Sequence, residues 1–160
     1  MAEMHRIEVL RPAEAPASLV IDWDDGAHTS VDLSGVIASI DAFAPLADPE
    51  TFRQAEVIDY GLGVGWPGGL DYSAHSLRLI AEEQQPMTRA SFIDWQRALG
   101  LSNREAADLL GVTIGTVKNF RAGRRIPKAV MVACRLTARD PTVFRAHYRP
   151  RKPGRPRKSV

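Results

Sequence analysis

Two patterns of apolar residues divide the chain. Up to about residue 83 apolar positions come in short runs that alternate with polar ones, the period of two expected of strands. Residues 6–10 alternate cleanly and residues 18–23 less so. Asp25-Gly26 is a tight-turn dipeptide ahead of the run 28–33, which predicts a hairpin. Residues 34–40 predict the start of a short helix. Pro45, Asp48 and Pro49 predict a loop, and residues 55–59 a further short strand. Bulky residues then alternate with Gly61, Gly63 and Gly65, and Trp66-Pro67-Gly68-Gly69 predicts a turn. Residues 75–83 predict a helix that Gln84-Gln85-Pro86 ends.

From residue 88 the period lengthens to that of helices. Ser91 is the expected cap of a first helix carrying Phe92, Trp95, Ala98 and Leu99 inward, with Gly100 ending it. Ser102 and Glu105 have the spacing of a capping box and open a second helix, apolar at Ala106, Leu109 and Leu110. Gly111 supplies a left-handed turn residue and Val112 a core plug. Thr113 caps a third helix, 114–122, with Val117 and Phe120 inward and Gly123 as its stop. Pro127 opens a fourth through Val130, Val132, Ala133 and Leu136, and residues 142–148 add a turn or two. From Arg149 the chain is basic and proline-rich, a composition that is disordered when alone. The expected fold is α+β in the N-terminal part, a small antiparallel sheet with one or two helices. An all-α helix-turn-helix bundle of four to five helices follows. The expected limits are residues 1–83, a linker at 84–90, a helical domain at 91–148 and a basic tail at 149–160.

Charge sharpens this division. Residues 1–87 hold 4 Lys+Arg against 15 Asp+Glu, a net of −11, and residues 88–160 hold 17 against 4, a net of +13. The overall +2 conceals both. A basic half of this size points to a polyanion partner. The acidic half could equally cover the basic one and lower non-specific binding. With 160 residues, 44% of them hydrophobic, the chain can bury one core or two small ones. The single cysteine, Cys134, allows no intrachain disulfide, which suits a reducing compartment. No basic-then-apolar leader is present, and no stretch approaches the roughly 18 apolar residues of a membrane helix. The expectation is a cytoplasmic, nucleoid-associated protein without membrane contact.

Two short helices joined through a glycine turn form the helix-turn-helix layout. Small Ala107, turn Gly111, Val112, capping Thr113, Val117, Phe120 and stop Gly123 fall in register with it. Over about 50 residues from Ser91, this stretch resembles the Cro/C1-type repressor domain. The resemblance implies double-stranded DNA as partner, with the third helix in the major groove. It implies base-facing roles for Ile114, Gly115, Lys118 and Asn119, of which Asn119 suits adenine, Lys118 guanine and Ile114 a thymine methyl. It implies phosphate contacts at Asn103, Thr116, Arg121, Arg124, Arg125 and Lys128. Two positions depart from the family. Gly115 offers no side chain to a base, and Arg121 stands where many relatives have an acidic residue.

The tail, with Lys152, Gly154, Arg155, Pro156, Arg157 and Lys158, resembles an AT-hook, although Pro153 replaces the arginine that usually precedes the glycine. That resemblance implies an extended peptide in a narrow minor groove, its arginine drawn by the negative potential there. The N-terminal half resembles a bacterial domain family of unknown function, DUF 2442. The residues that carry this are Ile21-Asp22-Trp23-Asp24-Asp25-Gly26, Val31-Asp32-Leu33-Ser34, Val57, Tyr60-Gly61 and Gly65 to Asp71. It implies a compact α+β fold and no chemistry. Some such proteins carry a helix-turn-helix, and some lie beside toxin-like small proteins.

Other chemistry finds little support. Asp22, Asp24 and Asp25 miss the spacing of an EF-hand, and a hairpin turn accounts for them. The Gly61, Gly63, Gly65 series lacks the Lys-Ser/Thr of a phosphate loop. His5, His28, His75 and His147 are scattered, so no metal or other cofactor is expected. Cys134 sits among apolar residues as a core filler. No nucleophile-base or nucleotide constellation is visible, so an enzyme is not expected. The leading expectation is a sequence-preferring DNA-binding protein that regulates transcription. A homodimer would supply the affinity that one short reading unit lacks. The alternative is an antitoxin-like or adaptor protein whose acidic N-terminal domain binds a small basic protein partner.

Overall fold

The computed structural model describes residues 4–151. The chain divides into two compact units, Met1–Gln85 and Pro86–Val160. The first consists of small antiparallel sheets with short helices, and the second has helices and no strand among its described residues.

The first unit begins with β1 (Ile7–Pro12), β2 (Ser18–Trp23) and β3 (His28–Asp32), an antiparallel sheet in that order. Leu19, Ile21 and Trp23 alternate along β2 and are almost wholly buried, as a strand with one face on the core requires. Val31 of β3 pairs with Leu19 and is buried with it. The Asp25-Gly26 turn closes the β2–β3 hairpin. Gly26 takes the positive φ of 81°, and the Asp25 carboxylate accepts the Ala27 amide at 3.0 Å. Trp23 also finds a partner for its indole N–H, the Thr29 hydroxyl at 2.8 Å.

The segment after β3 is more regular than its prolines and aspartates suggest. Helix α1 (Ser34–Ser39) leads into a 3-10 helix, Asp41–Ala47, and then α2 (Pro49–Phe52). The expected loop at Pro45, Asp48 and Pro49 is therefore largely helical. Asp48 accepts the Thr51 amide at 2.9 Å and Pro49 takes the first helical position, so the residues that resemble a loop are a helix start.

A second antiparallel sheet follows: β4 (Glu56–Ile58), β5 (Gly63–Trp66) and β6 (Leu70–Ser73). The Trp66–Leu70 turn joins β5 to β6, with Gly68 and Gly69 at φ 89° and 78°. Alternate glycines here have a packing reason. The Ile58 side chain lies over both Gly63 and Gly65, and a Cβ on Gly65 would sit 3.0 Å from it. Helix α3 (Ala74–Gln84), capped by Ser73, buries Ala74, Leu77 and Ala81 and packs on β3 and β6.

The second unit holds α4 (Arg89–Ala98), α5 (Asn103–Leu110), α6 (Ile114–Arg121), α7 (Lys128–Arg139) and α8 (Pro141–His147). Thr88, not Ser91, caps α4, accepting the Ser91 amide at 3.1 Å. The inward stripe of α4 is Phe92, Trp95 and Gln96, while Ala98, expected inward, is exposed. Phe92 is the centre of this core, 5.4 Å ring to ring from both Trp95 and Phe120. Around it lie Leu101, Ala106, Ala107, Val117, Ile126, Val130, Met131 and Cys134. Val132 and Leu136 of α7 are about half exposed at 48% and 46%. None of the helices among the described residues is long and apolar enough to cross a membrane.

Candidate nucleic-acid interface

The interface is built outward from the turn between α5 and α6. The capping box at the start of α5 is complete: Ser102 Oγ accepts the Glu105 amide at 3.2 Å and Glu105 Oε2 accepts the Ser102 amide at 2.8 Å. At the other end Gly111 adopts φ 66°, and the Val112 amide turns back to the Ala107 carbonyl at 2.9 Å. Thr113 then caps α6, its hydroxyl accepting the Thr116 amide at 3.1 Å. Three residues thus reverse the chain between two eight-residue helices.

Val117 and Phe120 fix the orientation of α6 by burying its inner face. Gly115, Lys118 and Asn119 lie on the exposed face. Gly115 has open space around a hypothetical Cβ, its nearest neighbour being Thr113 Oγ1 at 3.7 Å. Arg124, Arg125 and Lys128 continue the exposed cationic surface past Gly123. Among the described residues, neither Lys118, Arg124, Arg125 and Lys128 nor the Asn119 amide group has a side-chain hydrogen bond or ion pair. Among the described residues these cations make no ion pair with a carboxylate, which leaves their charge available to an external anion.

Other expected contacts are placed differently. Ile114 is half-buried and packs against the helical core. Thr116 is half-buried, with its hydroxyl against that of Thr113 at 2.9 Å. Asn103 and Arg121 are brought together by a residue that pattern reading missed. Buried Gln96 donates to Asn103 Oδ1 at 2.9 Å and to the Leu101 carbonyl at 2.9 Å, and accepts from Arg121 Nη1 at 2.8 Å. The available signal was position: Gln96 lies four residues after Phe92, on the inward stripe, where a polar side chain must find partners. Arg89 Nε also donates to the Arg121 carbonyl, at 2.6 Å. The tail residues Lys152, Gly154, Arg155, Pro156, Arg157 and Lys158 lie outside the described residues.

The chain leading to that tail rests on α5. Tyr148 Oη donates to Glu105 Oε1 at 3.1 Å, as does the Arg151 amide, and Arg151 Nη2 reaches Asp108 at 2.7 Å. With the backbone amides of Ser102 and Arg151 as its main donors, Glu105 is held down to a pKa of about 2.

The acidic unit offers one cluster of metal-ligating types among the described residues. His5 Nδ1 lies 3.4 Å from Asp25 and 4.0 Å from Asp24. Asp25 is already engaged by the Ala27 amide and by Arg78 Nη2 at 3.0 Å, and these hold its carboxyl below the ordinary range.

No curated protein matches the chain. A crystal structure of "Putative DNA Binding Protein NE0471" from Nitrosomonas europaea is similar to it at 27% identity, over 92% of this chain and 94% of that one, with a TM-score of 0.48. Residues 9–83 match the model of DUF2442, a family of proteins of unknown function, a likeness that covers most of the acidic unit and none of the helical one.

Proposed function

We propose that this protein binds double-stranded DNA through a helix-turn-helix formed by α5 and α6, and that it does so as a sequence-preferring regulator of transcription. One observation carries the reading: the outer face of α6 and the segment after it present cations and an amide that have no side-chain partner among the described residues, while the inner face is fixed by Val117 and Phe120. A rigid helix of this width fits the major groove. Lys118 and Asn119 are the side chains of the right type for base edges, and Arg124, Arg125 and Lys128 for phosphates. Ile114, half-buried, is at most a contact for a thymine methyl at the helix start. Gly115 lets the backbone approach closely. The basic segment from Arg149 onward adds affinity by counterion release, with Arg155 in the minor groove. Binding rather than catalysis is the task assigned here.

The test is titration of labelled duplexes with the full chain, after selecting preferred sites from random DNA. Arg124→Ala and Arg125→Ala weaken binding to every sequence. Asn119→Ala relaxes preference at one base pair, by about 1–3 kcal/mol. Affinity and preference left unchanged by all three substitutions would overturn the assignment.

A further inference from the structure

The Gln96 side chain is only 4% exposed, yet both ends of its amide are occupied. Its Nε2 faces two acceptors, the Leu101 carbonyl and Asn103 Oδ1, so its oxygen must face the Arg121 guanidinium. This arrangement has two consequences. Asn103 spends its oxygen on Gln96, and its Nδ2 donors have no acceptor among the described residues. Arg121, half-buried, gives one N–H to a neutral acceptor and makes no ion pair among the described residues. A guanidinium withdrawn wholly from water needs a carboxylate to cancel its charge, whereas a half-buried one keeps part of its head group accessible. Here the charge is held in place without being cancelled.

Gln96, Asn103 and Arg121 line a shallow pocket of about 270 Å³, together with Arg97 and Ser102. The neighbouring carboxylates are committed elsewhere. Glu105 accepts from Ser102, Tyr148 and Arg151, and Asp94 faces Arg97 at 3.6 Å. The pocket therefore offers amide and guanidinium donors to an anion.

We propose that Gln96 is a positioning residue for DNA binding: its neutral amide fixes Asn103 and Arg121 around this pocket and leaves the Arg121 charge for one phosphate of the duplex. The inference rests on the DNA-binding reading and deepens it. A glutamine in this place orients the guanidinium as a carboxylate would, but does not neutralise it.

The experiment measures affinity of the full chain for a mixed-sequence duplex over a series of salt concentrations, with folding of each variant checked by circular dichroism. Arg121→Gln loses the charge, and its shorter amide no longer reaches the Gln96 oxygen, so the salt slope rather than affinity alone reads the phosphate contact. Its slope of log affinity against log salt falls by about 0.9, the value for one phosphate, and its affinity falls about tenfold. Gln96→Glu keeps Arg121 but pairs it internally, while losing the donor to the Leu101 carbonyl and Asn103, and the slope falls by the same amount. The double variant, which leaves the introduced carboxylate without a cation beside it, loses more than either single one, because it removes the positive charge and sets a negative group against the phosphate. Gln96→Asn, too short to span the same partners, lowers affinity while leaving the slope nearer that of the unmodified chain. An unchanged slope in Arg121→Gln, with the unmodified chain binding duplex normally, overturns this inference and leaves the DNA-binding reading intact. A reduced slope in Arg121→Gln but an unchanged one in folded Gln96→Glu removes Gln96 from the account. Absence of duplex binding by the unmodified chain at low salt overturns the underlying reading itself.

Discussion

The Tyr148 hydroxyl donates to Glu105 Oε1 at 3.1 Å, joining the chain after α8 to the first turn of α5. Glu105 thus serves two structures at once, the capping box and the docking of residues 148–151. Its pKa falls from 4.5 to about 2, with the Ser102 amide as the largest cause and the Arg151 amide next. A carboxyl lowered on folding stabilises the folded state above its unfolded pKa, and that contribution disappears as pH falls through the folded value. The helical unit should therefore lose stability between about pH 4.5 and pH 2. Glu105→Gln should flatten this acid limb and lower stability at neutral pH. Hydrogen exchange at α5 amides across the pH series reads both effects, and an equally steep acid limb in the variant would contradict the assignment.

Two glycines with similar backbone angles should respond differently to alanine. Gly61 (φ 90°) lies against β1, where an added Cβ would meet the Ile7 carbonyl oxygen at 2.7 Å. Gly111 (φ 66°) has nothing within 4 Å of that position. Gly111→Ala should cost only backbone strain, about 1 kcal/mol. Gly61→Ala adds a clash with main chain that cannot rotate away, for a loss of at least about 2 kcal/mol. Calorimetry of both variants decides the point. Equal losses would mean that the approach of β1 to Gly61 is not as tight as described.

The parts of this fold that were legible in the sequence are those governed by local chemistry. Ser102, Glu105, Gly111 and Thr113 mark helix ends through hydrogen bonds within four residues, and each end lies where those residues place it. Trp66 to Leu70 marks its turn in the same way. What escaped depends on distant partners. The helical start at Asp48-Pro49 resembles a loop until Phe52 is seen buried, with its carbonyl accepting the Trp66 indole N–H at 3.0 Å. Gln96 falls on the inward stripe of α4 in the sequence, but its partners Asn103 and Arg121 converge on it only in the fold. Ser91 resembles a cap because Thr88, three residues earlier, has the same chemistry and wins it. The exposed cations after Gly123 were visible as types, but that they have no carboxylate partner among the described residues is a property of the fold.

Trp95 and Thr137 give a direct measure of a buried polar contact. The Trp95 indole N–H donates to Thr137 Oγ1 at 3.2 Å, and that hydroxyl donates in turn to the Ala133 carbonyl at 2.8 Å. Both residues are only 6% exposed. Thr137→Val keeps the shape and strands the indole N–H, which should cost about 1–3 kcal/mol. Thr137→Ser keeps the hydroxyl and should lose less. Urea unfolding followed by Trp95 fluorescence, in a background with Trp23 and Trp66 replaced by phenylalanine, separates the two variants. Equal midpoints would show that the hydrogen bond contributes nothing net.

Cys134 supplies an independent reading of the same helix. It is wholly buried in α7, and burial pushes its thiol up to about 12. The thiolate is the reactive form, so labelling of the native chain requires an opening that returns Cys134 to water. Labelling by an aromatic disulfide at mildly alkaline pH should thus be slow in buffer and fast in concentrated urea. If reclosing outruns labelling, the rate follows the opening equilibrium, and each loss of about 1.4 kcal/mol raises it tenfold. Thr137→Val, one helical turn away and bonded through the same hydroxyl to the Cys134 carbonyl, should speed labelling by the factor its urea midpoint implies. A factor far below that value would mean that Cys134 is exposed by a smaller motion than the one urea reports. Labelling as fast in buffer as in urea would contradict burial of the thiol altogether.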